Sequence, residues 1–389
     1  SGDMWFWLGW SEHIFENGLA NVYTNSNCDY MPGFLYFLKL HCLIQKSTTN
    51  IQDNLYTLKY YILVFDILTA LLISIKAKTN EKQIVYFFLI TLNVVFLYNT
   101  YAWCQVDSIF TFFGFLAILL AIQNKIAWSI VCICISFNFK VQAIVFFPLL
   151  FMILAYQIKN IKAIRQIVIG IIGAIIVQTI ILLPFILNGT VNKVWQVLTG
   201  SVGHYQSVSL NAFNFWFLVL PINAEQMFNY SDKTLFLGFT LNQIGFFLFA
   251  TSVFLACFPF IKIIIENLYK KQYQKIDINK IFIIGALIPL LFFYFNTQMH
   301  ERYSHPAMVF IFLFAINRKK YFPMILFSFA YGLNMEKVLK HLALTNYETL
   351  VFHPVFISVL YLILIIYLFY QLYKKETNVV NHLNLQLND

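Results

Sequence analysis

Long apolar runs broken by a few polar residues set the pattern of this chain. They occupy positions 57–75, 83–99, 107–122, 126–138, 141–157, 163–187, 234–261, 281–296, 304–317, 321–333 and 351–373. Each reads as a helix, and together they predict an all-α, polytopic membrane protein with about eleven transmembrane helices. A helix alone in lipid needs about 20 apolar residues, so the shorter runs, 126–138 and 321–333, are expected to be sheltered by neighbours or tilted. Another short apolar helix near 33–44 is expected at the interface. The chain opens at Ser1 on a polar and aromatic segment, so one further helix is expected upstream, making twelve. The reading is a single membrane domain over 1–389: a first extracytoplasmic loop at 1–56 with short interfacial helices, a bundle over 57–373, and a cytoplasmic tail at 374–389.

Composition agrees. Of the 389 residues, 60% are hydrophobic and 11% charged, with 43 Phe and 23 Tyr. A water-soluble core of this length cannot hide that much apolar surface, which excludes an ordinary soluble enzyme and calls for a bilayer as partner. The net charge of +9 does not point to nucleic acid, because the basic residues lie in short groups between apolar runs and form no stripe. When the connections are alternated between two sides, the loops at 76–82, 125, 159–165, 262–280, 318–320 and 374–376 hold most of the Lys and Arg. Only Glu81, Glu266, Asp277 and Glu376 of the acids share that side. The positive-inside rule makes it cytoplasmic. The chemically richer segments, 1–56, 99–107, 188–233, 297–303 and 334–350, then face outward. Six cysteines show no metal-ligand spacing, and Cys28 and Cys42 leave a disulfide open.

Four outer segments combine residues that bear on chemistry. In the first, Asp3 stands beside Trp5, Trp7 and Trp10. The tryptophans read equally as interfacial anchors, whereas a carboxylate next to a lipid-facing cavity is suited to accept a proton from an attacking hydroxyl. Tyr30-Met31-Pro32-Gly33 reads as a turn before a helix. The second segment is Trp103-Cys104-Gln105-Val106-Asp107-Ser108. Asp107 either caps the following helix or, with Gln105, holds sugar or acceptor hydroxyls. Between two short runs, Lys140 either snorkels or, beside Gln142, pairs with a phosphate or carboxylate. In the third, Met299-His300-Glu301-Arg302-Tyr303, ionisable residues at a span end are expected to face a polar cavity or one another. Arg302 offers a donor fork that matches phosphate oxygens and His300 adds a donor, while a plain Glu301–Arg302 ion pair is the competing reading. In the fourth, Asn211 and Asn214 share a face if their segment is helical, where their amides would bind sugar or where the helix would simply lie at the interface.

With these residues in view, the chain resembles the GT-C superfamily of multi-pass glycosyltransferases, most closely bacterial relatives of the enzyme that adds the second mannose of the glycosylphosphatidylinositol anchor. The resemblance rests on Gly2-Asp3 before an aromatic run, Tyr30-Met31-Pro32-Gly33, Trp103-Cys104-Gln105-Val106-Asp107-Ser108, Asn211-Ala212-Phe213-Asn214-Phe215-Trp216 and Met299-His300-Glu301-Arg302-Tyr303, in that order. The last segment is also similar to one in dolichyl-phosphate-glucose-dependent glucosyltransferases, where the His contacts the lipid phosphate. The chain departs from the family pattern at Cys104, where Gly is expected, and at Met31, where Pro is frequent.

The resemblance implies a GT-C-like bundle whose outward-facing site takes a hexose, mannose before glucose, from a polyprenyl-phosphate donor. The acceptor would be a glycan, lipid or protein hydroxyl. Asp3 corresponds to the family's acidic base. His300, Arg302 and Lys140 are expected on the donor phosphate, and Asp107, Gln105, Asn211, Asn214 and Glu301 near the sugar or acceptor. The expected chemistry is inverting transfer without a cofactor. Arg302 and His300 supply the positive charge at the leaving phosphate, so no metal is demanded. The expected location is a bacterial cytoplasmic membrane, or the endoplasmic reticulum in a eukaryote. The alternative is a transporter or flippase of lipid-linked sugars that forms no glycosidic bond.

Overall fold

The computed structural model describes residues 2–158, 161–201, 203, 205–220, 222–270 and 274–374. Ser1, the expected loop residues Lys159, Lys271, Lys375 and Glu376, and the rest of the tail lie outside the described residues. The fold is all-α apart from two pairings of two-residue strands. Among the described residues, six helices are long and apolar enough to cross a membrane: Leu55–Ser74, Asn80–Ala102, Ile161–Leu187, Leu241–Tyr269, Ile278–Phe295 and Pro354–Tyr373.

The expected count of eleven therefore falls to six. The runs at 107–122, 126–138, 141–157 and 304–317 form the shorter helices Asp107–Ile122, Ile126–Phe139, Val141–Gln157 and Ala307–Arg318. At about 1.5 Å per residue, such helices reach roughly 18–26 Å, against a hydrocarbon core of about 30 Å. Burial explains why apolar composition misled: every residue from Ala307 to Ile316 is packed inside the protein. The run at 321–333 extends to Leu339 through Asn334, Glu336 and Lys337 and is not among the six. The six differ in role. Ile278–Phe295 is central, with 72% of its apolar window buried, whereas Ile161–Leu187 has 6% buried and presents a nearly continuous isoleucine-rich surface outward.

The first segment carries helices, as expected, though the first is not short: Gly2–Asn17, Pro32–Gln45 and Thr48–Asp53 precede the first long helix. Pro32 stands in the first turn of its helix, where its missing N–H costs nothing. This second helix is no simple interfacial element, because Phe34, Leu35, Leu38, His41 and Cys42 are buried. Its close approach to Ile126–Phe139 requires Gly33, since a Cβ there would lie 2.6 Å from the Asn138 carbonyl oxygen. That contact brings the Tyr30-Met31 turn beside Phe139 and Lys140. No disulfide joins Cys28 and Cys42; both are free and buried, and Cys42 Sγ donates to the Ser11 carbonyl at 3.1 Å.

Candidate functional site

Two interruptions of helical geometry build the site. In the helix Asn80–Ala102 the α-helical ladder stops at Thr91, and Asn93 restarts it by accepting the Val95 N–H. Leu97–Ala102 then adopts the wider π-helical turn, a rare geometry that changes the direction in which side chains leave the helix. Cys104 follows with φ 64°, the left-handed region that favours glycine. The turn aims Trp103 and Gln105 at one target. Trp103 Nε1 donates to Asp3 Oδ2 at 3.1 Å, and Gln105 Nε2 donates to the same oxygen.

The second interruption follows Phe295. Thr297 and Gln298 both donate to Asp232 Oδ2, at 3.0 and 2.6 Å. Gln298 has φ 63°, and Met299–His300 then pairs in parallel with Ser209–Leu210. The following turns, with Tyr303 N–H on the His300 carbonyl and His305 N–H on the Arg302 carbonyl, hold Glu301 and Arg302 in the protein interior. Arg302 there meets three carboxylates. Nη1 donates to Glu301 Oε1 at 2.6 Å, Nη2 lies 3.5 Å from Asp3 Oδ2, and Nε lies 3.6 Å from Asp107 Oδ2. Lys140, in an extended linkage between two helices, reaches Asp107 with 2.9 and 3.0 Å contacts to its two oxygens. Its ammonium also lies 4.9 Å from the Tyr303 ring centroid, and the Arg302 guanidinium 5.4 Å from that of Trp103, favourable placements for cations over π faces.

A cavity of about 700 Å³ opens above this cluster. Asp3, Lys140, His300 and Arg302 line it together with Trp7, Trp10, Tyr30, Tyr205 and Tyr303. Asp3 and the segment His300–Tyr303, far apart in sequence, thus line one cavity. Of the three expected interfacial tryptophans, only Trp5 is outward, at 71% exposure; Trp7 and Trp10 are buried in the aromatic wall. The Asp3 side chain is 31% exposed while that of Asp107 is fully buried. All three contacts to Asp3 fall on Oδ2, and no hydrogen bond to Oδ1 occurs among the described residues.

Several expectations need correcting. Asp107 makes no helix-capping bond; it is the first helical residue, and its carboxylate is taken by Lys140 and Arg302. Lys140 accordingly does not snorkel. Asn211 and Asn214 do not share a helical face. Ser209–Leu210 is a strand, and Asn211 has φ 68°, with its carbonyl accepting from Asn334 Nδ2 at 2.8 Å. Asn214 is buried and spent on structure: Nδ2 donates to the Phe293 carbonyl at 2.9 Å and Oδ1 accepts the Trp216 N–H. Gln105, Glu301 and Asp107 stand behind the cavity wall, whereas Asp29, Lys193 and Gln196, not singled out from the sequence, line it. The helix Val191–Gly200, which carries Lys193 and Gln196, has an apolar face and a polar face, and that alternation was the available signal.

Burial sets the protonation chemistry. It pushes His300 well below the usual imidazole range, with Arg302 and Lys140 acting in the same direction, so the ring is neutral and has one N–H to donate. Burial raises Glu301, with Arg302 opposing, and lowers Lys140, with Asp107 opposing. The Cys104 thiol is pushed up to about 12 by burial, which makes it a poor nucleophile.

Behind the cluster, His305 is fully buried with no hydrogen-bond partner on either ring nitrogen among the described residues. Burial holds its pKa at about 4, with Asp107 opposing and Lys140 reinforcing that shift. The unfolded chain takes up this proton near pH 6.5 and the folded one only near 4. Stability contributed by neutral His305 is therefore complete above about pH 6.5 and falls by up to ~1.4 kcal/mol per pH unit below it. Thermal unfolding in detergent from pH 7 to 5 is expected to show this slope diminished in His305→Gln, and an unchanged slope would contradict the assignment.

The chain matches no protein-family model and no curated protein.

Proposed function

We propose that this protein is a membrane glycosyltransferase of GT-C type, moving a hexose from a polyprenyl phosphate to an acceptor hydroxyl on the extracytoplasmic side. The observation that carries this reading is the 3.5 Å approach of Arg302 to Asp3 at a shared cavity, which joins a carboxylate base to a cation suited to a leaving phosphate.

Asp3 is arranged for proton acceptance. Its Oδ2 is fixed by Trp103 and Gln105, which orients the carboxyl group and reserves Oδ1 for the acceptor hydroxyl. As that oxygen attacks the anomeric carbon in line, its proton passes to Oδ1 and the bond from the anomeric carbon to the phosphate oxygen breaks. The departing polyprenyl phosphate gains one negative charge. Arg302 meets it with a guanidinium held by one tight bond to Glu301, while its approaches to Asp3 and Asp107 are longer than a hydrogen bond and leave donors for phosphate oxygens. His300 adds a neutral donor and Lys140 a second charge. The aromatic wall of Trp7, Trp10 and Tyr30 suits the apolar faces of a sugar ring, and the family resemblance favours mannose before glucose.

Cys104 also supports the family resemblance. Glycine is expected at that position, and the backbone there has the left-handed conformation glycine favours. The six long apolar helices are compatible with delivery of a lipid-linked donor from the bilayer.

Purified protein incubated with polyprenyl-phosphate-mannose or polyprenyl-phosphate-glucose and candidate acceptors is expected to form a glycosidic bond. Arg302→Ala should lower kcat/KM by about 10²-fold or more, the scale of losing one charge-stabilising group in a closed site. Movement of the lipid-linked sugar across the bilayer without bond formation would replace this reading with a flippase.

A further inference from the structure

Just before the long helix Leu241–Tyr269 the chain forms a hairpin, with Leu235–Phe236 antiparallel to Phe239–Thr240. The two turn residues, Leu237 and Gly238, have φ 52° and 84°, as the tightest hairpin loops require. Glycine adopts this geometry freely, but leucine does so against a clash between its Cβ and the following carbonyl oxygen, and Asn or Asp is the usual occupant. The tip is also apolar throughout: Leu235, Phe236, Leu237 and Phe239 are 68%, 60%, 84% and 61% exposed. A strained leucine and two phenylalanines projecting together are not the scattered apolar residues of an ordinary wet surface.

The hairpin cannot fold away. Asp232 at its base accepts from Asn242, Thr297 and Gln298 through one oxygen, and the backbone N–H groups of Leu241 and Asn242 donate to the Thr234 and Asp232 carbonyls. Thr240 and Gln243 then exchange backbone-to-side-chain bonds at 3.2 and 2.9 Å, starting the helix. Beyond this cap, exposed Phe246, Phe247, Phe254 and Leu255 continue the same apolar surface along the helix. The apolar stretch from Leu241 ends where Lys262 and Glu266 begin, a length close to the ~30 Å hydrocarbon core. The hairpin therefore stands at one boundary of that core, on the side of the cavity segment Thr297–His300.

We propose that this hairpin is a membrane-dipping finger whose Leu235, Phe236, Leu237 and Phe239 insert at the headgroup–acyl boundary, with the lipid surface as its partner. Through Asp232 the finger ties the segment leading to His300 to the depth of the bilayer. The proposal is independent of the sugar-transfer reading.

The test places a nitroxide spin label at Leu237→Cys, and separately at Phe239→Cys, in full-length protein in nanodiscs of phosphatidylcholine and phosphatidylglycerol. Signal from the unsubstituted protein, whose free cysteines are mostly buried, is subtracted. A label at Glu348→Cys, where the native side chain is 86% exposed, serves as the aqueous reference. Both finger labels are expected to collide with oxygen more often, and with a water-soluble nickel chelate several-fold less often, than the reference label. Nickel collisions equal to the reference would overturn the proposal. Protection from both oxygen and nickel would overturn it too, and would assign the tip to a protein surface such as a second copy of this chain.

Discussion

Asp3→Asn is expected to lower kcat for sugar transfer by about 10²–10⁴-fold, the range for losing a positioned general base, with little change in donor binding. An amide has no basicity comparable to a carboxylate, so the acceptor hydroxyl would have to attack with its proton still in place. Arg302 would remain where it is, because its shortest contact is to Glu301 at 2.6 Å rather than to Asp3. The substituted side chain is 31% exposed in the native protein, so little buried packing is disturbed. Initial rates over a range of donor concentration separate the two effects, with kcat falling and KM for the donor nearly constant. A rate within a few-fold of the native protein would remove Asp3 from the mechanism.

The largest effect on stability is expected at Asp107, whose fully buried carboxylate is shared by Lys140 and Arg302. Asp107→Ala leaves two buried cations short of one negative charge, and removing one partner from a buried pair costs about 3–5 kcal/mol. Lys140 bears most of that loss, because its 2.9 and 3.0 Å contacts both go to Asp107, whereas Arg302 keeps Glu301. A marked fall in unfolding temperature in detergent is expected, with part of it recovered in Asp107→Ala combined with Lys140→Met, where the lysine charge is removed as well. The double-mutant cycle measures the coupling directly, and additive losses would mean that the pair contributes no mutual stabilisation. Asp3→Asn is expected to leave the unfolding temperature close to native, so the two carboxylates separate into a chemical and an architectural role.

The chain's apolar periodicity was enough to locate its helices but not to say what each helix faces. Ile161–Leu187 and Ala307–Arg318 are both rich in large apolar residues, yet the first packs one side on Ile126–Phe139 and leaves most of its residues exposed, whereas the second is almost wholly inward. Composition cannot separate lipid from protein as the surroundings, and for that reason five short or tempered runs read as spans. The charged part of the site was legible for the opposite reason. An ionised group amid apolar residues is costly without a partner, which drew notice to Asp3, Lys140 and Arg302. The same cost applies to Asp66 and Glu336, each of which has a tyrosine or threonine partner distant in sequence. Asp66 is buried within the first long helix and accepts from Thr100 Oγ1 at 2.5 Å, and Glu336 accepts from Tyr98 at 2.8 Å and from the His341 and Leu342 N–H groups. Asn214 was the reverse case: an amide suited to sugar by type is consumed by a backbone carbonyl and N–H that no local pattern reveals. Tyr205 carried no signal either, because its place beside His300, with ring centroids 5.5 Å apart, depends on tertiary folding.

The contact between Arg302 and Asp3 also has a consequence in time. A ribosome adding 5–20 residues per second needs roughly 15–60 s to travel from the codon for one to the codon for the other. Throughout that interval the nascent chain already has an acid and its tryptophan neighbours in place but no guanidinium to meet them. A fragment released just before Arg302 is made would carry five of the six long helices and still lack the guanidinium that lines the pocket, so most of the apolar body is synthesised before the cavity has all its charged groups.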